Sequence, residues 1–229
     1  MSEPVLRSLR VAPRVATPNP PLLVLLHGFG ADEHDLVGLA GSLDGRFVVH
    51  SVQAPLALEQ GGRAWFPLRF NPDGTRTVGV EHIEGSRRKL VAFLDQVVVA
   101  EGADPQRVYL AGFSQGGMMA LEVALSEPDR VAGVVAMSAR LLASPEAKRA
   151  PSAALAGLPA LVVHGRQDAM VPFASGLQAK EALEQAGLSV TWQAFPMGHE
   201  ISRASLALVS GWLTQRLDGP RRVTAEPRR

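Results

Sequence analysis

Aliphatic runs of strand length recur along the chain at Leu22–Leu26, Phe47–Val52, Val108–Ala111, Val131–Met137 and Pro159–Val163. Continuous runs of this kind mark parallel strands that are covered on both faces. Between them apolar residues fall at helical spacing. Glu81–Glu101 carries Ile83, Leu90, Leu94, Val97 and Val98 on one stripe, and Arg87, Arg88 and Lys89 are expected together on the solvated face. Ala174–Ala186 turns Leu177 and Leu183 inward and stops at Gly187, and Ser202–Leu217 carries Leu206, Val209, Leu213 and Leu217 inward. Asp32 reads as the N-cap of a further helix bearing Leu36, Leu39 and Leu43. Val190–Phe195 alternates, as a half-covered strand near a sheet edge does. Val5, Leu6, Leu9 and Val11 can form another edge strand, ahead of a proline-rich loop over Ala12–Pro21.

Strands and helices thus alternate without an internal repeat or a clear linker. Alternation of this kind implies an α/β fold, a mostly parallel central sheet with helices on both faces. A single domain over residues 1–229 is expected, its core spanning about 20–217 and its basic tail, 218–229, disordered. Two stretches break the rhythm. Leu141–Leu158, rich in alanine, serine and proline, reads as a surface excursion with a short helix. Leu56–Val80 is long and irregular, with four glycines, yet holds Trp65, Phe66 and Phe70. Such a loop is expected to be functional, or packed as a lid.

Composition narrows the function classes. A net charge of +1 creates no global field for nucleic acid or an anionic membrane. With no cysteine there is no disulfide, no zinc–thiolate site and no cysteine nucleophile. The first residues, MSEPVLRSLRVAP, carry an early acid and lack the apolar core of a signal peptide, and no apolar run approaches a membrane span. A soluble cytoplasmic protein is expected, without stable membrane insertion. Nothing in the sequence distinguishes a monomer from a homodimer.

The chemistry centres on Gly112–Gly117, GFSQGG, which lies between an apolar strand and a helix. A serine on so tight a strand-to-helix turn needs a strained backbone and no side chains two positions away, which Gly112 and Gly116 provide, while Gly117 lets the helix approach the sheet. Ser114 would then point off the carboxyl end of a buried strand, the edge where such sheets gather functional groups. A serine hydroxyl needs a base, and the base an orienting carboxylate. Of six histidines, His34, His50 and His82 lie on elements before the turn, where packed or solvated roles are expected. His27 and His164 stand at strand ends before glycine and suit structural hydrogen bonds. His199, in a loop after the last strand, is the favoured base, with His164 its main competitor. Asp168 follows the strand Pro159–Val163 and is preferred as the acid over Asp104, Asp129 and Glu200. The order Ser, Asp, His is that of α/β-hydrolases. Backbone N–H groups of Gln115 and Phe29 are candidates for an oxyanion hole. The histidines and carboxylates show no metal-ligand spacing, so neither metal nor cofactor is expected.

Together LLVLLHGFGADEHDL, LAGFSQGGMMAL, VVHGRQDAMVP and PMGHEIS resemble the bacterial carboxylesterase/phospholipase family of α/β-hydrolases, relatives of acyl-protein thioesterases. GRAWF at Gly62–Phe66 resembles that family's loop over the active site. The resemblance implies Ser114 as nucleophile, Asp168 as orienting acid, His199 as base, and Phe29 and Gln115 at the oxyanion positions. It implies hydrolysis of carboxylic esters of short to medium acyl length, a small-molecule substrate, and no cofactor. Lysophospholipid or acyl-protein thioester hydrolysis with the same triad is the alternative. A non-catalytic hydrolase-like binding protein is a third reading, but no triad or oxyanion element is visibly missing. A dienelactone hydrolase would be expected to use the cysteine this chain lacks. Trp65, Phe66, Met118, Met170 and Met197 are the apolar candidates for substrate contact, core packing being their ordinary role.

Overall fold

The computed structural model describes residues 6–70, 76–78, 80–142 and 149–220; the expected tail from residue 221 onward lies outside them. A seven-stranded sheet runs β1-β3-β2-β8-β9-β10-β11. These strands are β1 (Ser8–Val11), β2 (Leu22–Leu26), β3 (Val48–Val52), β8 (Val108–Phe113), β9 (Gly133–Met137), β10 (Pro159–Gly165) and β11 (Ser189–Phe195). All neighbours are parallel except β1, which lies antiparallel on β3. The continuous runs are buried on both faces, whereas β11, at the edge, alternates between exposed and covered positions.

Alternate residues of each strand feed two cores. Leu22, Val24 and Leu26 pack with α1 (Val80–Ala100), α2 (Gln115–Ser126) and Leu183 of α4 (Phe173–Gln185). Leu23 and Leu25 pack against a 3-10 turn (Val37–Ser42) and Val209, Trp212, Leu213 and Leu217 of α5 (Arg203–Asp218). Among the described residues no helix is long and apolar enough to cross a membrane.

Several local expectations change. Asp32 caps no helix: its carboxylate accepts from the His34 N–H, and the element that follows is the 3-10 turn, entered at Leu36. Leu36 and Leu43 are nevertheless buried. Arg87 is not solvated with Arg88 and Lys89; it is 7% exposed. It lies on the same stripe as Ile83, Leu90 and Leu94, and pairs with Glu84 at 2.8 Å and Glu127 at 3.1 Å. On α4 the inward positions are Gly176, Ala179 and Leu183, so Leu177, one residue off that stripe, is exposed. The segment after β9 is partly interior: Leu142, Leu155 and Leu158 are buried around α3 (Ser152–Leu155). The stretch read as one irregular loop forms two antiparallel ribbons, β4 (Leu56–Ala57) with β5 (Arg63–Ala64) and β6 (Leu68–Phe70) with β7 (Arg76–Val78).

Candidate active site

The end of β8 is a tight, strained turn. Ser114 has φ of 53° and ψ of −118°, a conformation that L residues rarely adopt. A Cβ on Gly112 would lie 2.3 Å from the Gly116 carbonyl, and one on Gly116 would lie 2.0 Å from the Leu26 oxygen. Glycine at both positions is therefore a steric requirement, which lets α2 start directly over β2. The Ser114 N–H donates to Met137 O at 2.9 Å, tying the turn to β9.

A second close approach brings distant loops together. A Cβ on Gly165 would lie 2.3 Å from the carbonyl oxygens of Met197 and Gly198. With glycine there, the loop after β11 lies against the end of β10, held by Arg166 N–H to Phe195 O at 2.8 Å and Gln167 N–H to Met197 O at 3.1 Å. His199 thereby meets Asp168, with Nδ1 2.8 Å from Oδ2, while its Nε2 lies 2.9 Å from Ser114 Oγ. The other Asp168 oxygen accepts the N–H groups of Met170 at 2.9 Å and Val171 at 2.8 Å, so the carboxylate is fixed at both ends. A carboxylate only accepts. It therefore draws the proton to Nδ1 and leaves the Nε2 lone pair facing the serine hydroxyl. Such an arrangement can remove a proton from Ser114 as its oxygen attacks. Phe113 packs on the His199 ring, with centroids 4.8 Å apart.

The competing histidines are engaged elsewhere. His164 is buried, and its Nε2–H donates to Val171 O at 2.9 Å; Asp168 Oδ2 is farther, at 3.6 Å. His27 uses Nδ1–H toward Gly28 O at 2.7 Å and accepts the Ala54 N–H on Nε2 at 3.1 Å. This bracing holds the Gly28-Phe29 turn. The ribbon strand β5 continues it, through Gly30 N–H to Arg63 O at 2.9 Å and Arg63 N–H to Ala31 O at 2.8 Å. His50 is buried between Ser8 and Glu101.

Burial holds the pKa values of both His27 and His50 below the usual histidine value of 6.5. The unfolded chain takes up these protons near pH 6.5, the folded protein only at lower pH. Unfolding is therefore favoured as pH falls through that value, and above it the effect vanishes. The two histidines are expected to lower the urea midpoint at about pH 5 relative to about pH 7.5, with Glu122, whose pKa burial raises, acting in the opposite sense. Asp44, held at about 2 by the Arg46 guanidinium, loses its contribution only below its unfolded value of 3.8, a separate window.

A cavity of about 500 Å³ opens over Ser114 and His199. Phe29, Gln115, Phe66, Met118 and Met170 line it. Trp65 and Met197 do not. Trp65 is fully buried, its indole N–H donating to His27 O at 3.0 Å. Met197 packs in the core on the α5 side of the sheet. The Phe29 and Gln115 N–H groups have no acceptor among the described residues.

Sequence reading missed the side chain of Gln115. It accepts the Trp65 N–H at 2.8 Å and donates to Phe66 O at 2.7 Å, clamping the ribbon segment over the turn. Removing it leaves two buried backbone groups unpaired, so Gln115→Ala is expected to lose about 2–4 kcal/mol of stability, read as a lower urea midpoint. Leu68, Arg140 and Ser175 also line the cavity. Arg140 and Ser175 follow β9 and β10, so the rule that function gathers beyond carboxyl ends could have flagged them. Elsewhere, Asp32, Glu33 and His34 bring ligand atoms within 4.8 Å of one another. Asp32 is engaged by His34 and Glu33 by Gln53, so the cluster is satisfied internally.

The sequence profile of the phospholipase/carboxylesterase family matches residues 11–217. The chain is 29% identical to acyl-protein thioesterase 1 of Gibberella zeae, over 91% of this chain and 97% of that one. It is 33% identical to carboxylesterase SOBER1 of Arabidopsis thaliana, over 69% of each. Among solved structures, esterase PE8 superposes with a TM-score of 0.79 at 29% identity, over 92% of this chain and 98% of that one. The Bacillus cereus carboxylesterase superposes equally well, at 0.79, over 92% of this chain and 94% of that one; at 24% identity the likeness is one of fold. The parallel sheet with helices on both faces is the α/β-hydrolase fold. With nearly its whole length matched by one profile and its sheet shared with solved esterases, the chain belongs to the phospholipase/carboxylesterase family of ester hydrolases.

Proposed function

We propose that the protein is a serine carboxylesterase that works through an acyl-enzyme, with Ser114 as nucleophile, His199 as general base and Asp168 as its orienting acid. The observation that carries this reading is the line from Ser114 Oγ through His199 to Asp168, at 2.9 Å and 2.8 Å, whose first two members line the cavity. As Ser114 Oγ bonds to the ester carbonyl carbon, His199 Nε2 takes its proton. The carbonyl oxygen becomes an oxyanion facing the N–H groups of Phe29 and Gln115. The tetrahedral species expels the alkoxide, which receives the proton from Nε2. Water then attacks the acyl carbon as His199 Nε2 takes its proton; the second tetrahedral species breaks its bond to Ser114 Oγ, which receives that proton back, and the acid leaves. The apolar wall of Phe66, Leu68, Met118 and Met170 supports acyl chains of short to medium length.

An alkyl fluorophosphonate should label the folded protein at Ser114, identified by peptide mass spectrometry. Absence of label there would overturn the proposal. A second reading, thioester hydrolysis on acylated proteins, is favoured by the likeness to a thioesterase across nearly its whole length. Comparing p-nitrophenyl butyrate, a lysophospholipid and a palmitoyl-thioester at matched concentrations separates these substrates.

A further inference from the structure

We propose that Met170 is a modification site: peroxide converts its thioether to the sulfoxide, which removes long apolar esters from the substrate range of this cavity and spares short ones. The effect on substrates rests on the serine esterase reading above. The chain has no cysteine, so methionine is the only sulfur it offers to an oxidant. Of the six methionines, Met1 lies outside the described residues, and Met118, Met119, Met137 and Met197 are buried, none more than 7% exposed. Met170 is 49% exposed and lines the cavity over Ser114 and His199. Access for peroxide and a place on the substrate wall coincide in this one side chain.

Its neighbours put it there. Asp168 Oδ1 accepts the N–H groups of Met170 at 2.9 Å and Val171 at 2.8 Å, and Val171 O accepts from His164 Nε2–H at 2.9 Å. The Val171 side chain is buried in the core on the α2 side, and Pro172 leads into α4. Met170 is left with its main chain tied to the acid and its side chain on the cavity wall. Oxidation there is a two-electron step. A sulfur lone pair attacks one oxygen of hydrogen peroxide, the O–O bond breaks, and the other oxygen leaves as water after proton transfer. The sulfur is oxidised, the peroxide is reduced, and no other reactant is consumed. The product is a polar side chain whose oxygen must keep its water or find a donor. Met170 shares the wall with Phe66, Leu68 and Met118, so a long hydrocarbon chain laid against it loses apolar contact once the sulfoxide forms. A two-carbon group leaves most of the cavity of about 500 Å³ empty and meets no such cost. The bond to Asp168 belongs to the main chain, so the line from Asp168 to Ser114 does not depend on the sulfur.

The test treats the full-length protein with hydrogen peroxide, removes the reagent, and reads each methionine by peptide mass spectrometry. Met170 sulfoxide is expected to form at least about 10-fold faster than sulfoxide at Met118, Met119, Met137 or Met197. Two ester series then report the consequence: p-nitrophenyl acetate through octanoate varies the acyl half, and ethyl through octyl acetate varies the alcohol half. Oxidation should lower kcat/KM by about 5- to 20-fold at the long end of at least one series, which assigns the half lying against Met170. The shortest member of each series should stay within about twofold. Methionine sulfoxide reductase should restore the long-chain rate. Met170→Leu, whatever its own starting rates, should show the same kcat/KM before and after peroxide in both series. Oxidation spread evenly over the methionines would overturn the proposal, as would unchanged long-chain rates in both series once Met170 is oxidised. So would an equal loss on the shortest esters, which would make the sulfur a support for the Asp168 loop, or a Met170→Leu variant as sensitive to peroxide as the wild type. These outcomes count against this proposal alone when the untreated protein cleaves p-nitrophenyl butyrate and fluorophosphonate labels Ser114. If neither occurs, the esterase reading itself fails and takes the substrate effect with it.

Discussion

Ser114→Ala is expected to lower kcat on p-nitrophenyl butyrate by about six orders of magnitude while leaving the fold intact. The hydroxyl hydrogen-bonds to His199, and the backbone of the turn is held by glycine packing and by the bond to Met137 O, neither of which the substitution touches. Alanine has the same Cβ as serine, so the strained φ of 53° is no worse. What disappears is the atom proposed to bond to the substrate carbon. The remaining rate is expected to come from binding and from the proposed oxyanion donors, the N–H groups of Phe29 and Gln115; in other serine hydrolases binding and the oxyanion hole sustain about 10³- to 10⁴-fold over water. Initial rates, with urea unfolding as a control, read the outcome. A folded variant that keeps more than about one per cent of the wild-type kcat would remove Ser114 from the mechanism.

Asp168→Asn should have the next largest effect, about four orders of magnitude in kcat, and for a reason specific to this site. One carboxylate oxygen of Asp168 accepts the N–H groups of Met170 and Val171. An asparagine must place its carbonyl oxygen there, because its NH2 group cannot accept those bonds. The NH2 then faces His199 Nδ1 and forces that nitrogen to accept. The imidazole proton moves to Nε2, the nitrogen 2.9 Å from Ser114 Oγ, where it blocks removal of the serine proton. The side chain keeps its volume and its backbone bonds, so KM and stability should change little. Steady-state kinetics decide this: a fall in kcat below about tenfold would mean that the tautomer of His199 is set by something other than Asp168.

Much of the fold is legible in the chain because strand and helix periods are local properties. Leu22–Leu26 is a strand over the residues its aliphatic run marks, and β11 shows the alternation expected of an edge. Arg87 and Leu177 mark where local reading fails. Charge places Arg87 in solvent, but its helical position lies on the buried stripe, and Glu84 and Glu127 supply the partners that make burial tolerable. Leu177 is apolar, yet one residue off the stripe that α4 turns to the sheet. Both depend on which face of a helix meets the sheet, which a few apolar residues specify only loosely.

The candidate site divides in the same way. Residue types and their order along the chain determined the strained turn at Ser114, since Gly112 and Gly116 are demanded by contacts formed within a few residues or with the adjacent strand. They also marked Asp168 and His199 as loop residues beyond strand ends. Only the tertiary structure decided that Gly165 lets those loops touch, that Gln115 holds Trp65 and Phe66, and that Trp65 and Met197 stay in the core while Arg140 joins the cavity. The physical reason is the range of the interactions. Backbone sterics and hydrophobic period act between near neighbours and are written locally. Which side chains share a cavity follows from the register and packing of segments separated by tens of residues, and no local pattern records it.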